Sequence, residues 1–229
     1  MAIDRIEPVV LDFVAEDFNE VLVLKGNWGV GKTHFWHRLI DEQAEDENLG
    51  KEKYSYISLF GINSLDGLKR SIFTSVVDSS DVQNEGIFST LRGFAEKAED
   101  IPKLAEWGGD AVLEKLLFDG VEDTLVCIDD LERRGEDLEI RDLLGLASML
   151  KEERSCQVVL ILNDDALEEQ GRDEFGRHGE KIVDLEIEFE RTPGGAFECV
   201  FEDSDELVGV LSDCVRHCLR KSPLEALRF

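Results

Sequence analysis

Eight residues, Gly26-Asn27-Trp28-Gly29-Val30-Gly31-Lys32-Thr33, have the types and spacing of a phosphate-binding loop. The chemistry follows from the residue types. Gly26 and Gly31 reach backbone angles that a Cβ disfavours, so consecutive N–H groups can turn inward around an oligophosphate. A helix begun at Thr33 adds the positive end of its dipole. The Lys32 ammonium would reach the β- and γ-phosphates, and the Thr33 hydroxyl would ligate Mg2+. The expected nucleotide-contacting stretch runs from Gly26 through His34. Its flanks have the form this motif requires. Val21–Lys25 is a short apolar run of strand type, and Phe35-Trp36 with Leu39-Ile40 has helical spacing.

Such a loop needs a carboxylate for the metal and a group that acts on water. Leu125-Val126-Cys127-Ile128-Asp129-Asp130 is an apolar run ending in two carboxylates. Asp129, at the strand's tip, is the expected Mg2+ carboxylate. Asp130 is expected to face the γ-phosphate and polarise a water, with Glu132 the second candidate for that role. Asn163 ends the apolar run Gln157–Leu162. It either positions the water and senses the γ-phosphate or forms a turn cap, and the residue type leaves both open. Asn163 is followed by Asp164, so the guanine-reading pattern Asn-Lys-x-Asp is missing and ATP is expected over GTP. Positive charge on the γ-phosphate would come from Lys32 and from one of Arg133, Arg134, Arg172 or Arg177, in cis or from a neighbouring subunit.

These residues must be held by a regular frame. Residues 8–18 are expected to be helical, with Pro8 in the first turn. Strands are expected at 21–25, 54–59, around 125–130, at 157–162 and at 181–189. Helices are expected from Thr33 to about Glu45, after a Ser64 cap with Leu65, Leu68, Ile72, Val76 and Val77 on one face, at about 138–151, and at 207–219. Residues 78–120 read as a helical insertion broken at Gly108-Gly109. Apolar strands alternating with helices predict an α/β fold, a parallel sheet with helices on both faces. The expected units are an N-terminal helix (1–19), a core (20–192) and the start of a C-terminal helical region (193–229).

The 229 residues are 42% hydrophobic, enough for a sizeable core, and carry 52 acidic against 25 basic side chains, a net charge of −27. A surface of that sign repels nucleic acid and anionic membranes, so direct nucleic-acid binding is not expected. No apolar run reaches the roughly 18 residues that span a bilayer, and the N-terminus has no signal-peptide core. The five cysteines, Cys127, Cys156, Cys199, Cys214 and Cys218, are odd in number. They read as reduced thiols of a cytoplasmic protein. Cys214-x-x-His217-Cys218 has no second ligand cluster and reads as thiols on a helix.

The segments Gly26–Thr33, Cys127-Ile-Asp-Asp-Leu-Glu-Arg133 and Val159–Leu167 together resemble the KAP group of P-loop NTPases, relatives of the STAND and AAA+ ATPases in the ASCE class. Trp28 within the loop, the Asp-Asp-Leu-Glu-Arg form of the second motif and Ile57-Ser58-Leu59-Phe60-Gly61 carry the likeness, which spans roughly residues 20–190. It implies a three-layer ATPase core with five parallel strands in the order 5-1-4-3-2. It implies Lys32 and Thr33 at phosphate and Mg2+, Asp129 as the metal carboxylate, Asp130 as the water activator and Asn163 as the sensor. Members of this group often act as ATP-driven switches, and many bacterial ones look like parts of anti-phage defence systems. Two departures stand out. Many members carry transmembrane helices between the two nucleotide motifs, where this chain has a soluble insertion. The helical lid that usually follows the core is barely begun at Phe229, with Arg216, Arg220 and Arg228 as its possible fragments.

The leading reading is therefore a Mg2+-dependent ATP-hydrolysing switch that works with a protein partner or as a homo-oligomer. A non-hydrolysing ATP-binding module that scaffolds a complex is the alternative. An AAA+-like nucleic-acid loader or motor conflicts with the charge, and a small-molecule kinase with the Asp129-Asp130 pair.

Overall fold

In the computed structural model, which describes residues 3–79, 82 and 121–189, the apolar runs become strands of one sheet. The strands are β1 (Val21–Lys25), β2 (Lys53–Ser58), β3 (Val77–Asp78), β4 (Thr124–Asp129), β5 (Gln157–Leu162) and β6 (Leu185–Glu188). Their spatial order is β3-β2-β4-β5-β1-β6. Every pair is parallel except β2 with β3. Numbering only the parallel strands along the chain reproduces the expected 5-1-4-3-2.

The difference is β3. The sequence assigns Val76 and Val77 to the preceding helix, but that helix ends at Ser75 and Val76 is extended. Two β-branched residues in succession suit a strand better than a helix end. Tyr54 and Val77 then pair antiparallel at the sheet edge.

Five helices lie among the described residues: α1 (Ile3–Ala15), α2 (Lys32–Glu45), α3 (Leu65–Ser75), α4 (Ile140–Arg154) and α5 (Glu169–Gly179). They cover both faces of the sheet, and strand alternation decides which residue meets which layer. Leu22 and Leu24 of β1 face α1 and α2, in a core with Ile6, Val10, Phe35, Trp36 and Ile40. Val21 and Val23 face the other way, into a core with Leu68 and Ile72 of α3 and Leu143, Leu144 and Ala147 of α4. β4 and β5 are buried on both sides, which is why they read as unbroken apolar runs rather than alternating ones.

Two boundaries move. The first helix starts at Ile3, not residue 8, so Pro8 sits inside it. Ile6 is buried in the same core as Val10 and Phe13 and draws the helix back by a turn and a half. The fifth parallel strand is only Leu185–Glu188. Ile182 and Val183 pack against the core from the turn before it. The predicted insertion helices, Cys199, the 207–219 helix with Cys214, His217 and Cys218, and the lid arginines lie outside the described residues. Among the described residues no helix is long and apolar enough to cross a membrane. Cys127 and Cys156 are buried free thiols.

At the end of the sheet where the parallel strands begin, one buried cation ties three segments together. Lys51, just before β2, donates to Asp17 and to Asn19 (3.0 Å) in the α1–β1 connection and to Asp123 (3.1 Å) before β4. Its side chain is almost wholly enclosed, while both carboxylates keep contact with water. Lys51→Met keeps the aliphatic stem and removes the charge. It is expected to lower the unfolding free energy by about 2 kcal/mol, the scale of a charged hydrogen bond whose partners can rehydrate. A denaturant midpoint unchanged from the parent would show that the cluster is not a clamp.

Candidate functional site

The candidate residues gather where the parallel strands end, the place in an open α/β sheet where ligands bind. β1 leads into the loop. Gly26 N–H donates to Leu162 O (3.2 Å), and Phe189 N–H closes on Lys25 O (2.6 Å). A Cβ at Gly26 would run into the Phe189 carbonyl, so this glycine is required by the close approach of the chain after β6. Gly31 caps α2 in the left-handed conformation, φ 87°. That turn aims the first amides of α2 into the cleft, where they and the helix dipole favour an anion.

The nine loop residues divide. Trp28, Gly29, Gly31, Lys32, Thr33 and His34 line a cleft of about 570 Å³ with Asp129, Asp130, Glu132, Arg133 and Leu162. Gly26, Asn27 and Val30 line a second hollow on the other side of the loop, with Lys25, Asp164, Asp165, Glu188 and Phe189. Lys32 bends back along the loop and donates to Gly26 O (2.6 Å) and Asn27 O (3.1 Å). Burial lowers its pKa, opposed by the charges of Glu132 first, then Asp129 and Asp130.

Asp129 is 3% exposed and fully engaged. Its Oδ2 accepts from the Thr33 hydroxyl (2.7 Å) and from the Tyr56 hydroxyl (2.9 Å), and its Oδ1 from the Asp130 amide (2.6 Å). Burial raises its pKa; the Thr33 bond is the chief opposing influence, and the Asp130 charge adds to the rise. A hydroxyl and a carboxylate in contact are two hard oxygen donors of the kind Mg2+ takes, so these residues fit that ion.

Asp130 has a left-handed backbone, φ 59°, an uncommon conformation for a residue with a side chain. Its Oδ2 accepts from Ser58 Oγ (2.7 Å), and its Oδ1 lies 3.8 Å from Arg133 Nη1. Arg133 in turn lies over the exposed Phe60 ring, 4.1 Å from its centroid. Glu132 reaches elsewhere. Its Oε1 accepts from the Trp28 indole (2.8 Å) and its Oε2 from the Asn163 backbone amide (3.0 Å). The Asn163 side chain accepts from Asp165 N–H (3.2 Å) and caps the short 3-10 turn at 164–166. The Asn163 Oδ1 thus makes the cap, because the turn directly after β5 leaves an amide in reach.

The four arginines separate as well. Arg134 donates to Leu138 O and Leu131 O, and Arg172 to Leu167 O, so both hold loops. Arg177 pairs with Asp173 on the open face of α5. Arg133 alone of the four lines the cleft.

Tyr56 and Ser58 are the residues that sequence reasoning missed. The signal was present: polar side chains inside a strand that the expected order sets beside the carboxylate strand. The register pairs Ser58 with Asp129 and Tyr56 with Cys127.

Two outcomes follow. The raised pKa means that the fold favours ionised Asp129 less than the unfolded chain does. Its charge therefore costs stability at pH 7, and this cost fades as pH falls below the folded-state pKa. Asp129→Asn can keep all three contacts, with Nδ2 donating to the hydroxyls, and should raise the thermal midpoint by roughly 2–4 °C at pH 7. A lower midpoint would refute this. Tyr56→Phe frees one side of Asp129 and should raise the Mg2+ concentration needed for nucleotide binding by up to about tenfold, leaving binding in EDTA unchanged. Equal losses with and without Mg2+ would mean a general packing defect.

Residues 18–124 match the KAP family P-loop domain. No curated protein matches the chain. Among solved structures the chain is similar to Cdc6p from Pyrobaculum aerophilum, at 14% identity and a TM-score of 0.49 over 87% of this chain and 47% of that one. It is similar to the DnaC helicase loader at 15% identity and a TM-score of 0.41, over 81% of this chain and 87% of that one. It is also similar to the flagellar accessory protein FlaH from Methanocaldococcus jannaschii, at 10% identity and a TM-score of 0.42, over 78% and 76%. The chain thus spans less than half the length of the Cdc6p chain it matches. With the loop between β1 and α2, the sheet order and the family match on the page, the chain carries a P-loop NTPase fold, a nucleotide-binding architecture, and its residues 18–124 match the KAP family P-loop domain.

Proposed function

We propose that this site binds Mg2+·ATP and hydrolyses it, and that the protein works as a switch whose conformation or assembly follows the nucleotide state. The observation that carries the reading is the 2.7 Å bond from Thr33 to Asp129, which joins the phosphate loop to the carboxylate strand. Bound there, Mg2+ would supply charge neutralisation at the β- and γ-phosphate oxygens. The loop amides and the α2 N-terminus hold the phosphates. Lys32 exchanges its loop carbonyls for phosphate oxygens, a stronger, charge-assisted contact. A water oxygen attacks the γ-phosphorus, its proton passes to Asp130, and the bond to the β–γ bridging oxygen breaks. ADP and inorganic phosphate leave. Ser58 and Arg133 orient the Asp130 carboxylate, and Arg133 is the arginine best placed to offset charge on the γ-phosphate in cis.

A second reading is an ATP-binding module with very slow turnover. It is favoured by one observation, the commitment of Asp130 Oδ2 to Ser58, which leaves this carboxylate partly occupied. A nucleic-acid loader draws no support from a net charge of −27. A part in anti-phage defence rests on the family's habits and on no residue of the site.

Steady-state ATP hydrolysis with Mg2+ tests the reading. Lys32→Ala should abolish binding and turnover. Asp130→Asn should keep binding and lower turnover by at least about 100-fold. Normal hydrolysis by Asp130→Asn would transfer the water-orienting role to Glu132. Tight binding without turnover in the parent protein would favour the second reading.

A further inference from the structure

Trp28 is the largest exposed apolar side chain near the cleft, 68% exposed, and it stands on the phosphate loop itself. Core packing does not account for it. Its one polar atom, the indole N–H, is spent on Glu132 Oε1 at 2.8 Å. Glu132 starts from the turn after β4 and Trp28 from the loop after β1. β5 lies between those two strands, and Asn163, the residue just after it, gives its amide to the other Glu132 oxygen. One carboxylate therefore ties three neighbouring strand ends together, across the mouth of the cleft.

The position has a consequence for charge. Among the three carboxylates around Lys32, Glu132 acts on that ammonium most strongly. Glu132 lines the same cleft as Lys32, so its charge opposes a phosphate held by that lysine. The two N–H donors fix the Glu132 charge at the rim. The other bond between loop and β4, Thr33 to Asp129, involves the atoms that would hold Mg2+. The Trp28–Glu132 bond involves neither of those atoms.

We propose that Trp28 is a positioning residue whose indole N–H latches Glu132 at the rim of the cleft, and that this latch lets the site accept the γ-phosphate of a nucleoside triphosphate. The functional half rests on the nucleotide reading above; the latch itself does not. Trp28→Phe keeps the aromatic ring and loses the donor. Because the ring is exposed, the variant should keep the parent's thermal midpoint.

Two measurements test the proposal. In protein labelled with 15N at tryptophan, the Trp28 indole N–H, assigned by its loss in Trp28→Phe, should shift clearly in Glu132→Gln with no nucleotide present. An unmoved resonance overturns the latch whatever the protein binds. Fluorescent ATP and ADP analogues then test its purpose. Trp28→Phe should weaken ATP binding by about tenfold and ADP binding by much less, because the freed carboxylate opposes the γ-phosphate. Trp28→Phe combined with Glu132→Gln should recover ATP binding, since the repelling charge is gone. A double variant as weak as the single one, or equal losses for ATP and ADP, overturns the charge-holding role. If the parent binds neither nucleotide, the proposed function falls together with the γ-phosphate role, and the resonance test still decides the latch.

Discussion

The site depends on one topological constraint: β5 lies between β1 and β4. The loop and Asp129 belong to strands two positions apart, about 10 Å between backbones. That gap is wide enough for phosphates and too wide for direct backbone contact. Side chains must bridge it, and they do so at two points. Thr33 meets Asp129 at the foot of the loop, and Trp28 meets Glu132 at its tip. The opposite end of the sheet is drawn together by Lys51. A parallel sheet has no hairpins to set the spacing of its strand ends, so charged and polar contacts at both ends take that part.

Burial at the site works against the charges that function needs. Asp129 is nearly inaccessible and its ionised form is disfavoured, yet three donors hold it. Lys32 is likewise penalised by burial and sustained by the acidic groups around it. Burial thus opposes the charged forms of both groups. The strained backbone of Asp130 belongs to the same picture, because it turns the carboxylate out of the strand line towards Ser58 and the cleft.

Much of the fold was legible because each element answers to a local rule. β4 and β5 are apolar runs of the length a doubly buried strand needs, and both were found nearly to the residue. Ser64 caps α3 through Gly67 N–H as its type suggests. Where local signals misled, a long-range contact had prevailed. Ile6 drew α1 back past Pro8, and the edge of β2 took Val77 from the helix pattern. Neither outcome is encoded within a turn of the residue concerned.

The sequence by itself determined the chemistry on offer: a glycine-rich loop ending in Lys32 and Thr33, a strand ending in paired aspartates, and an acidic surface. Residue type and spacing suffice there, since backbone freedom, charge and donor count are local properties. Only the tertiary structure decided how those groups are shared out. It used the Asn163 Oδ1 in a cap, placed Arg133 in the cleft and Arg134 and Arg172 on loop carbonyls, brought Tyr56 onto Asp129, and set Glu132 across three strand ends. The reason is physical. A side chain's role depends on which neighbours its strand is given, and strand neighbours are fixed by packing across the whole sheet rather than by any stretch of sequence.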